Sequence, residues 1–293
     1  MTAYDQILQF FITGISIGAI YAIVGIGFMI IYSVTRVVNF AQGEFLMLGG
    51  MLSITFHLKG FPLSISILLA VVITTLIGMF FYQAIIYPIR RAPAFALILM
   101  TFGGSIIIRG IAMLCWGTDP RSLPYFFGAT PIQISGAVLN PQAVWVIVST
   151  ALMAVALFLF FRYTIDGKAF LASAINAFLA SLMGIKTERM GLLAFALAAC
   201  LGALAGAVMS PLTFPHIGIG IHLSVKGFTA ALIGGLNRIE GVIVGGLALG
   251  VLEALGAGFI SSGYKDAIAL VILMVVLTFR HQGLLGGAEA GRV

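Results

Sequence analysis

Charged side chains are scarce in this sequence. They make up 8% of its 293 residues, whereas hydrophobic residues make up 61%. A soluble domain is typically about 25% charged and about 45–50% apolar, so the composition excludes that class and predicts an integral membrane protein. The apolar stretches run from end to end without a long polar region, which predicts a single transmembrane domain over residues 1–293.

Signals for catalysis are also missing. The sequence contains no HExxH or GxxxxGK[ST] motif, so we expect no catalytic residues and no nucleotide site in this chain. The histidines are scattered without metal-ligand spacing, at His57, His216, His222 and His281, and we expect no metal. A membrane-embedded enzyme is the least favoured class, because no paired catalytic groups occur.

Cysteine and N-terminal positive charge are also limited. The two cysteines, Cys115 and Cys200, lie in apolar runs and are more typical of packing residues than of a disulfide. The opening MTAYDQ has no Lys or Arg and so lacks the basic region of a cleavable signal peptide; we expect the first apolar segment to be retained. The net charge of +6 indicates basic cytoplasmic loops rather than a nucleic-acid partner, and we expect membrane lipid as a partner.

Nine stretches are apolar and long enough to cross a bilayer, which takes about 20 residues. They lie at about 7–32, 38–57, 63–87, 95–115, 143–162, 190–210, 217–236, 241–260 and 264–280. A tenth stretch, about 169–185, would reach roughly 25 Å as a helix, just short of the hydrocarbon thickness. Hydropathy alone does not decide whether that stretch crosses.

Positive charge separates the two topologies, because Lys and Arg concentrate in cytoplasmic loops. If 169–185 stays on the cytoplasmic face, ten of the 15 basic residues lie inside, three lie outside and two lie within spans. The inside group is Arg36, Arg90, Arg91, Arg162, Lys168, Lys186, Arg189, Arg238, Arg280 and Arg292; the outside group is Lys59, Arg121 and Lys265. We therefore predict an all-α polytopic protein with nine crossings, an outer N-terminus and an inner C-terminus, and eight crossings remain open.

The cytoplasmic stretch has two stripes at helical spacing. Small residues recur at Ala169, Ala172, Ser173, Asn176, Ala177, Ala180 and Gly184, and bulky residues at Leu171, Ile175, Phe178, Leu179 and Leu182. On one helix these stripes form a close-packing face and a knobbed face. The helix either packs against its own protein or inserts into a partner at the membrane surface.

Four ionisable residues fall near or within the predicted spans: Glu44, Arg109, Lys226 and Glu253. Such groups are costly in lipid and are typical of a transport pathway or of a buried pair. For Glu44 the alternative is an interfacial position that reaches cytoplasmic water. For Arg109 and Glu253 the alternative is a position near the outer surface of the membrane. Glu253 could instead pair with a basic neighbour.

Polar residues near two of these charges complete a candidate pathway. A helix through residue 38 would place Asn39, Gln42 and Gly43 on one face, next to Glu44. Lys226 lies in SVKGFTAALIGGL, where Gly227, Gly234 and Gly235 would permit a broken helix of the kind that lines substrate sites. The alternative for Lys226 is a side chain that reaches outer solvent. The candidate pathway residues are Asn39, Gln42, Glu44, Lys226 and Thr229.

Four stretches carry a resemblance to a known family. They are AIYAIVGIGFMIIYSVTRVVNFAQGEFLMLGG (19–50), TFGGSIIIRGIAMLCWGTDPRSLP (101–124), LMGIKTERMGLLAFALAACLGALAGAV (182–208) and VKGFTAALIGGLNRIEGVIVGGLALGVLEAL (225–255). The chain resembles the membrane permease subunits of bacterial ABC importers for branched-chain amino acids, with urea and short-amide permeases as close relatives. The stretches cover most of the chain in the family's order.

The resemblance implies that the segment about 163–190 is a cytoplasmic coupling segment that docks on an ATP-binding subunit. The residues that match the family pattern there are Ala172, Asn176, Ala180, Gly184 and Ile185. One departure is apolar: Phe170, Leu171, Phe178 and Leu179 stand where the family usually has polar or charged residues. This departure predicts a more apolar groove on the partner or a less soluble isolated subunit.

The resemblance also implies the fold and the function. We expect an ABC importer permease fold and a multi-pass protein of the bacterial inner (plasma) membrane. The protein would not be an enzyme. It would form one half of an alternating-access pore for branched-chain or related amino acids. The implied partners are a second permease subunit, which the family favours as a related, different chain, two cytoplasmic ATP-binding subunits that carry ATP-Mg, and an extracytoplasmic substrate-binding protein.

Two matters remain open at the level of sequence. The solute is a leucine-type amino acid, another amino acid, urea or a small amide. The alternative function is a secondary transporter or channel that acts alone, with Glu44, Lys226 and Glu253 as ion or proton sites.

Overall fold

The computed structural model describes residues 3–126, 128, 130–134, 137–259, 261–280 and 283–285. Within this part of the chain it has eleven α-helices and one short hairpin. The helices are α1 (Ala3–Thr35), α2 (Gln42–Leu58), α3 (Leu63–Phe81), α4 (Ala94–Trp116), α5 (Pro141–Tyr163), α6 (Ile165–Ile175), α7 (Ala177–Leu182), α8 (Thr187–Thr213), α9 (Ile219–Gly234), α10 (Ile239–Phe259) and α11 (Lys265–Phe279). The hairpin pairs strand β1 (Ile132–Ile134) with β2 (Ala137–Leu139), and a π-helical turn, Tyr82–Ile86, extends α3.

Each of the nine predicted spans coincides with one of these helices. Six of them, α1, α3 with its π-helical turn, α4, α5, α8 and α10, are long and apolar enough to cross a membrane. The other three, α2, α9 and α11, have 17, 16 and 15 residues. The all-α polytopic fold is therefore confirmed, while the choice between eight and nine crossings stays a prediction.

The core lies around α1, whose most apolar window is 89% buried inside the protein. Glycines bring the backbones of α1 and α10 together: a Cβ on Gly14 would meet Val251 at 2.6 Å, and one on Gly18 would meet the Gly246 carbonyl at 2.7 Å. Small residues allow such close helix contact in membranes. The two helices run antiparallel, and α1 is enclosed on most sides.

Two basic residues from distant loops each bond to a residue of the region α6–α8, at one end of the bundle. Arg36 donates to the Ala174 carbonyl at 3.0 Å, and Arg90 pairs with Glu188 at 2.7 Å. Both arginines belong to the group predicted to be cytoplasmic, although the side of the membrane stays a prediction. Arg292 of that group, like His281, lies outside the described residues.

The two stripes predicted a single helix over 169–185, but the structure has two helices there. Asn176 has an extended backbone (φ −151°, ψ 102°) and separates α6 from α7. Its side chain accepts a hydrogen bond from the Leu179 backbone N–H at 3.0 Å, so it acts as the N-cap of α7 and ends α6. The two helices reach only about 17 and 9 Å, and neither is long enough to cross a bilayer.

The chain turns back into the bundle after α1. Arg36 has a positive φ of 56°, and residues 37–41 form no helix. The predicted helix start at 38 is therefore wrong, and Asn39 does not share a helix face with Gln42 and Gly43. The side-chain oxygen of Asn39 accepts a hydrogen bond from the Ala41 N–H at 3.2 Å, a local bond that competes with helix formation.

The re-entrant segment, residues 36–41, places the start of α2 deep in the protein. Gln42 donates to the Ala198 carbonyl of α8 at 3.0 Å, and its side chain lies where a Cβ on Gly27 would be. Gly27 precedes the end of α1 by eight residues, or about 12 Å. The helix α2 thus begins beside the middle of its neighbours.

The same arrangement follows α8. Phe214 has a positive φ of 47°, and Arg36 and Phe214 are the non-glycine residues with positive φ in the described chain. After four more residues α9 begins, and its first turn meets the first turn of α2. There the gap is so narrow that a Cβ on Gly43 would overlap the carbonyl oxygen of Gly220.

These features describe an inverted repeat formed by α1–α4 and α8–α11. In each unit a long helix ends at a residue with positive φ, and a short helix starts in the interior. The first helix of each unit packs against the third helix of the other unit. Thus α1 runs antiparallel to α10, and α8 runs antiparallel to α3, where Gly78 meets Ala199. Inverted repeats that meet at broken helices are common in transporters.

The tight glycine contacts give a stability prediction. A Cβ at Gly206 of α8 would overlap the Leu46 carbonyl of α2, whereas a Cβ at Gly103 of α4 would have nothing within 4 Å. We expect Gly206→Ala to lower the apparent Tm of the purified chain by about 2–5 °C, since overpacking costs about 1–3 kcal/mol. Gly103→Ala is the matched control and leaves the Tm unchanged or slightly raised, because Ala favours helix. Equal Tm values for both variants in thermal unfolding would contradict this packing.

Candidate functional site

A buried ion pair lies where α2 begins. Glu44 is in the first turn of α2 and its side chain is 1% exposed. One carboxylate oxygen, Oε1, accepts a hydrogen bond from Ser105 Oγ at 2.9 Å and pairs with Arg109 Nη2, both on α4. A carboxylate at this position is also stabilised by the partial positive charge of the helix N-terminus.

Several buried polar atoms of this cluster have no hydrogen-bond partner in the described part of the chain. They are Glu44 Oε2, Arg109 Nε, Gln42 Oε1 and Asn39 Nδ2. The free oxygen of Glu44 points toward α9, 2.7 Å from where a Cβ on Gly220 would lie. Buried polar atoms are nearly always hydrogen-bonded, so this cluster has unused donors and acceptors.

A second charged cluster joins four helices. Lys226 of α9 contacts Glu253 of α10 at 3.1 Å and Asp266 of α11 at 2.9 Å. Its ammonium also donates to the Lys265 carbonyl at 3.3 Å, and Tyr21 of α1 donates to Glu253 at 3.1 Å. An ammonium has three donors, and all three have acceptors here.

The five candidate pathway residues are all buried. Asn39, Gln42 and Glu44 lie together at the start of α2, and Lys226 and Thr229 lie on α9. Gly43 connects the two helices, since its N–H donates to Ser224 Oγ at 2.8 Å. The structure thus brings the first three residues together and places the other two in a neighbouring helix.

Two sequence-based alternatives are wrong. Glu44 does not reach cytoplasmic water, because it is buried and paired with Arg109. Lys226 does not extend to solvent, since its side chain is 9% exposed and bonded to Glu253 and Asp266. Of the three glycines expected to break the helix, Gly227 lies within α9 and allows close contact with Val24, whereas α9 ends at Gly234, before Gly235 with its φ of 96°. A further interruption lies before α9, at residues 214–218.

Sequence reasoning missed an aromatic cluster beside the ion pair. Phe40 of the re-entrant segment stacks on Phe102 of α4 with ring centroids 4.4 Å apart. The ring centroid of Phe228 in α9 lies 5.6 Å from that of Phe40, and the ring centroid of Phe28 in α1 lies 5.5 Å from that of Phe228. The rings come from four separate elements, so their spacing in sequence gave no signal.

The candidate coupling residues have different environments. Ala180 is buried, Ala172 and Ile185 are partly buried, and Asn176 and Gly184 are exposed. Asn176 caps α7, and Gly184 has a φ of 82°, which glycine adopts without strain. The small-residue stripe therefore packs partly inward and shapes the segment.

The bulky stripe of the same segment faces outward. All five of its members are exposed, and so is the neighbouring Met183; Ile175 and Met183 are each 83% exposed. Exposed apolar side chains in this number are typical of an interaction site. They lie at the end of the bundle where Arg36 contacts Ala174 and Arg90 contacts Glu188.

No metal centre is evident in the described residues, where no three His, Cys, Asp or Glu side chains converge. The chemistry available to the buried clusters is hydrogen bonding and charge pairing.

Comparison with known proteins gives consistent matches. A family model described as "Branched-chain amino acid transport system / permease component" matches residues 10–277. The high-affinity branched-chain amino acid transport system permease protein LivH of Salmonella typhimurium is 32% identical, over 98% of this chain and 97% of that protein. The permease protein BraD of Pseudomonas aeruginosa, named for the same transport system, is 31% identical over 98% of both. The autoinducer 2 import system permease protein LsrC of Escherichia coli is 27% identical over 73% of this chain and 64% of that protein.

The Lys226–Glu253 pair gives a prediction on stability. Removing one partner of a buried pair leaves an uncompensated charge, which typically costs about 3–5 kcal/mol, whereas removing both costs much less. We expect Lys226→Met alone, which leaves the buried Glu253 carboxylate without a cationic partner, to lower the apparent Tm more than the double variant Lys226→Met/Glu253→Gln does. If the double variant is less stable than Lys226→Met in thermal unfolding, the pair is not coupled as described.

Proposed function

Since the chain belongs to the family of branched-chain amino acid transport permease components, we propose that its solute is a branched-chain or related amino acid. The protein is a pore subunit of an ABC importer and a multi-pass protein of the inner membrane. ATP hydrolysis takes place on separate subunits. The family match over residues 10–277 carries this proposal and favours it over a transporter that acts alone.

We propose four kinds of partner for this subunit. They are a second permease subunit, as a related and different chain, two cytoplasmic ATP-binding subunits that hold ATP-Mg, an extracytoplasmic substrate-binding protein, and membrane lipid. The apolar outer faces of α4 and α11 support contacts with lipid or a second permease subunit, since residues such as Leu114 and Met274 are 89% and 70% exposed.

We propose that the segment 163–190, within the single domain 1–293, is the coupling segment. The exposed apolar residues of α6 and α7 provide the docking surface for an ATP-binding subunit, with Ala172, Asn176, Ala180, Gly184 and Ile185 setting its shape. Arg36 supports a mechanical role, because it links α6 to the re-entrant segment before α2. A docking surface at α6 would thus be connected to the buried ion pair.

We propose that the pathway passes the start of α2 and α9, flanked by Asn39, Gln42, Glu44, Lys226 and Thr229. Two helix starts and an incompletely bonded ion pair support this position. Lys226 acts there by holding α9, α10 and α11 together, since its ammonium has no free donor.

The function is tested by uptake into proteoliposomes that contain this chain with its partner subunits and binding protein. We expect ATP-dependent uptake of L-leucine, and no ATP hydrolysis by the purified chain alone. Amino acid uptake that needs no ATP-binding subunit would contradict the importer proposal.

Substitution of the docking surface gives a prediction on transport. Phe178 of α7 is 70% exposed, so Phe178→Asp changes the surface without disturbing packing. We expect this variant to insert normally into the membrane. Its ATP-dependent uptake should fall at least about tenfold, because an unpaired charge would be buried at the contact with the ATP-binding subunit. The control Phe61→Asp, at another exposed Phe in the loop after α2, keeps uptake. Gly184→Arg is less informative, since its positive φ adds backbone strain.

Cysteine labelling gives a second prediction for the same surface. In a chain without Cys115 and Cys200, we expect Ser181→Cys to react with a membrane-impermeant thiol reagent in inside-out vesicles. The ATP-binding subunits should block this reaction. Ser173→Cys is the internal control and resists labelling in both states, since Ser173 is buried. Equal labelling of Ser181→Cys with and without the subunits would exclude docking at α7.

A further inference from the structure

We propose that Glu44, Arg109 and Phe102 form a binding site for a zwitterionic amino acid with an apolar side chain. Arg109 binds the carboxylate, Glu44 binds the ammonium, and the aromatic cluster around Phe102 contacts the side chain. This proposal rests on the proposed importer function and adds to it the site and the groups that are recognised.

Arg109 has the capacity to bind a carboxylate. Its side chain is 28% exposed, while its partner Glu44 is 1% exposed. Its Nη2 donates to Glu44 and, at 3.3 Å, to Ser105, while Nε has no partner in the described chain. A guanidinium has five donors in a planar fork that matches a carboxylate. Arg109 can therefore remain bonded to Glu44 while it binds a solute carboxylate.

Glu44 has the complementary capacity. Its Oε1 accepts from both Ser105 and Arg109, whereas Oε2 has no donor within the described residues. A buried carboxylate oxygen without a donor is unfavourable, and an ammonium supplies both a donor and a positive charge. The free oxygen lies against the first turn of α9, 2.7 Å from where a Cβ on Gly220 would lie, so an ammonium reaches it only when α2 and α9 move apart at that turn.

The charge of the site selects among solutes. Glu44 and Arg109 together carry no net charge, and a zwitterion adds none. A solute with a single charge would leave an uncompensated charge in a buried site, at a cost of several kcal/mol. Urea and simple amides carry no charge and would leave both free groups without an ionic partner. The pair thus favours an amino acid over the other solutes that the sequence left open.

The aromatic cluster is correctly placed for the side chain. Phe102, Ser105 and Arg109 follow one face of α4 at helical spacing. Because Arg109 Nη2 reaches back to Ser105, the guanidinium lies about one turn, or roughly 5 Å, from Phe102 along the helix. Phe102 is 38% exposed, and its other face is covered by Phe40. An aliphatic side chain can therefore contact Phe102 while its backbone binds the ion pair.

The charged cluster around Lys226 lacks this capacity. Its ammonium donates to Glu253, Asp266 and the Lys265 carbonyl, which uses all three donors. Glu253 is additionally bonded by Tyr21. Of the two buried clusters, only the one at Glu44 and Arg109 has free donors and acceptors together with an aromatic surface.

The test uses the complete importer in proteoliposomes and compares initial ATP-dependent uptake of L-leucine and L-alanine. The binding protein is the same in every sample, so differences between variants report on this chain. We expect Phe102→Ala to lower the leucine-to-alanine ratio of kcat/KM at least about fivefold, since Phe102 contacts only the larger side chain. Phe95→Ala on the same helix is the matched control, because Phe95 is 71% exposed and lies outside the cluster. It should keep the wild-type ratio.

The charges are tested with the double variant Glu44→Gln/Arg109→Gln, which removes both partners and leaves no unpaired charge. We expect leucine uptake to fall at least about tenfold while the assembled complex still hydrolyses ATP. Wild-type uptake by the double variant, or an unchanged ratio in Phe102→Ala, would overturn the site. An equal change in Phe95→Ala would also overturn it.

Failure of the site and failure of the proposed function give different results. If the wild-type importer assembles and hydrolyses ATP but transports no amino acid, the proposed solute class is wrong. If it transports leucine and the variants match it, only the zwitterion site is wrong. Should the double variant fail to assemble, Phe102→Ala and Phe95→Ala, which keep the ion pair, decide the question.

Discussion

The structure depends on burying irregular backbone inside a membrane protein. Backbone N–H and C=O groups in hydrocarbon must be satisfied within the protein, and two helix interruptions of the described chain, at residues 36–41 and 214–218, extend into the interior. Their inner residues, such as Asn39 and Ile217, are buried, whereas Arg36 and Phe214 at their starts are exposed. The glycine contacts, the inverted repeat and the meeting of α2 with α9 all follow from the need to surround these two segments.

The first interruption connects two regions that otherwise lie apart. At one end Arg36 bonds to the Ala174 carbonyl of α6, where the backbone carbonyls at a helix C-terminus attract a cation. At the other end the chain reaches Gln42 after five residues without helix, the last two of them in a turn. Such a short connection, bonded at both ends, transmits displacement better than a long flexible loop. The surface stripe on α6 and α7 and the interior ion pair are thereby parts of one continuous segment of chain.

Hydropathy and charge predicted much of this fold, because burial in lipid is a property of each stretch by itself. All nine apolar stretches became helices, and the apolar segment before Met190 is not a single span. The errors arise where a side chain competes locally with the helix, as Asn39 and Asn176 do. The pair Glu44–Arg109 joins residues 65 positions apart, and the sequence showed two charges but not their contact. The inverted repeat was not predicted either, since Arg36 and Phe214 occupy matching positions with unlike side chains.

The glycine-lined contact between α1 and α10 restricts the ways in which the protein can change shape. Where Gly14, Gly18, Gly246 and Gly250 bring the two backbones together, there is no side chain that can switch rotamer to absorb a displacement. The two helices must therefore move as one rigid body, and conformational change requires movement of elements with fewer close contacts, such as α4. Since Arg109 lies on α4 and Glu44 on α2, a shift of α4 relative to α1 and α10 would open or close the ion pair directly. The barrier to such a shift then includes both the breaking of this ion pair and the loss of the stacking of Phe102 on Phe40.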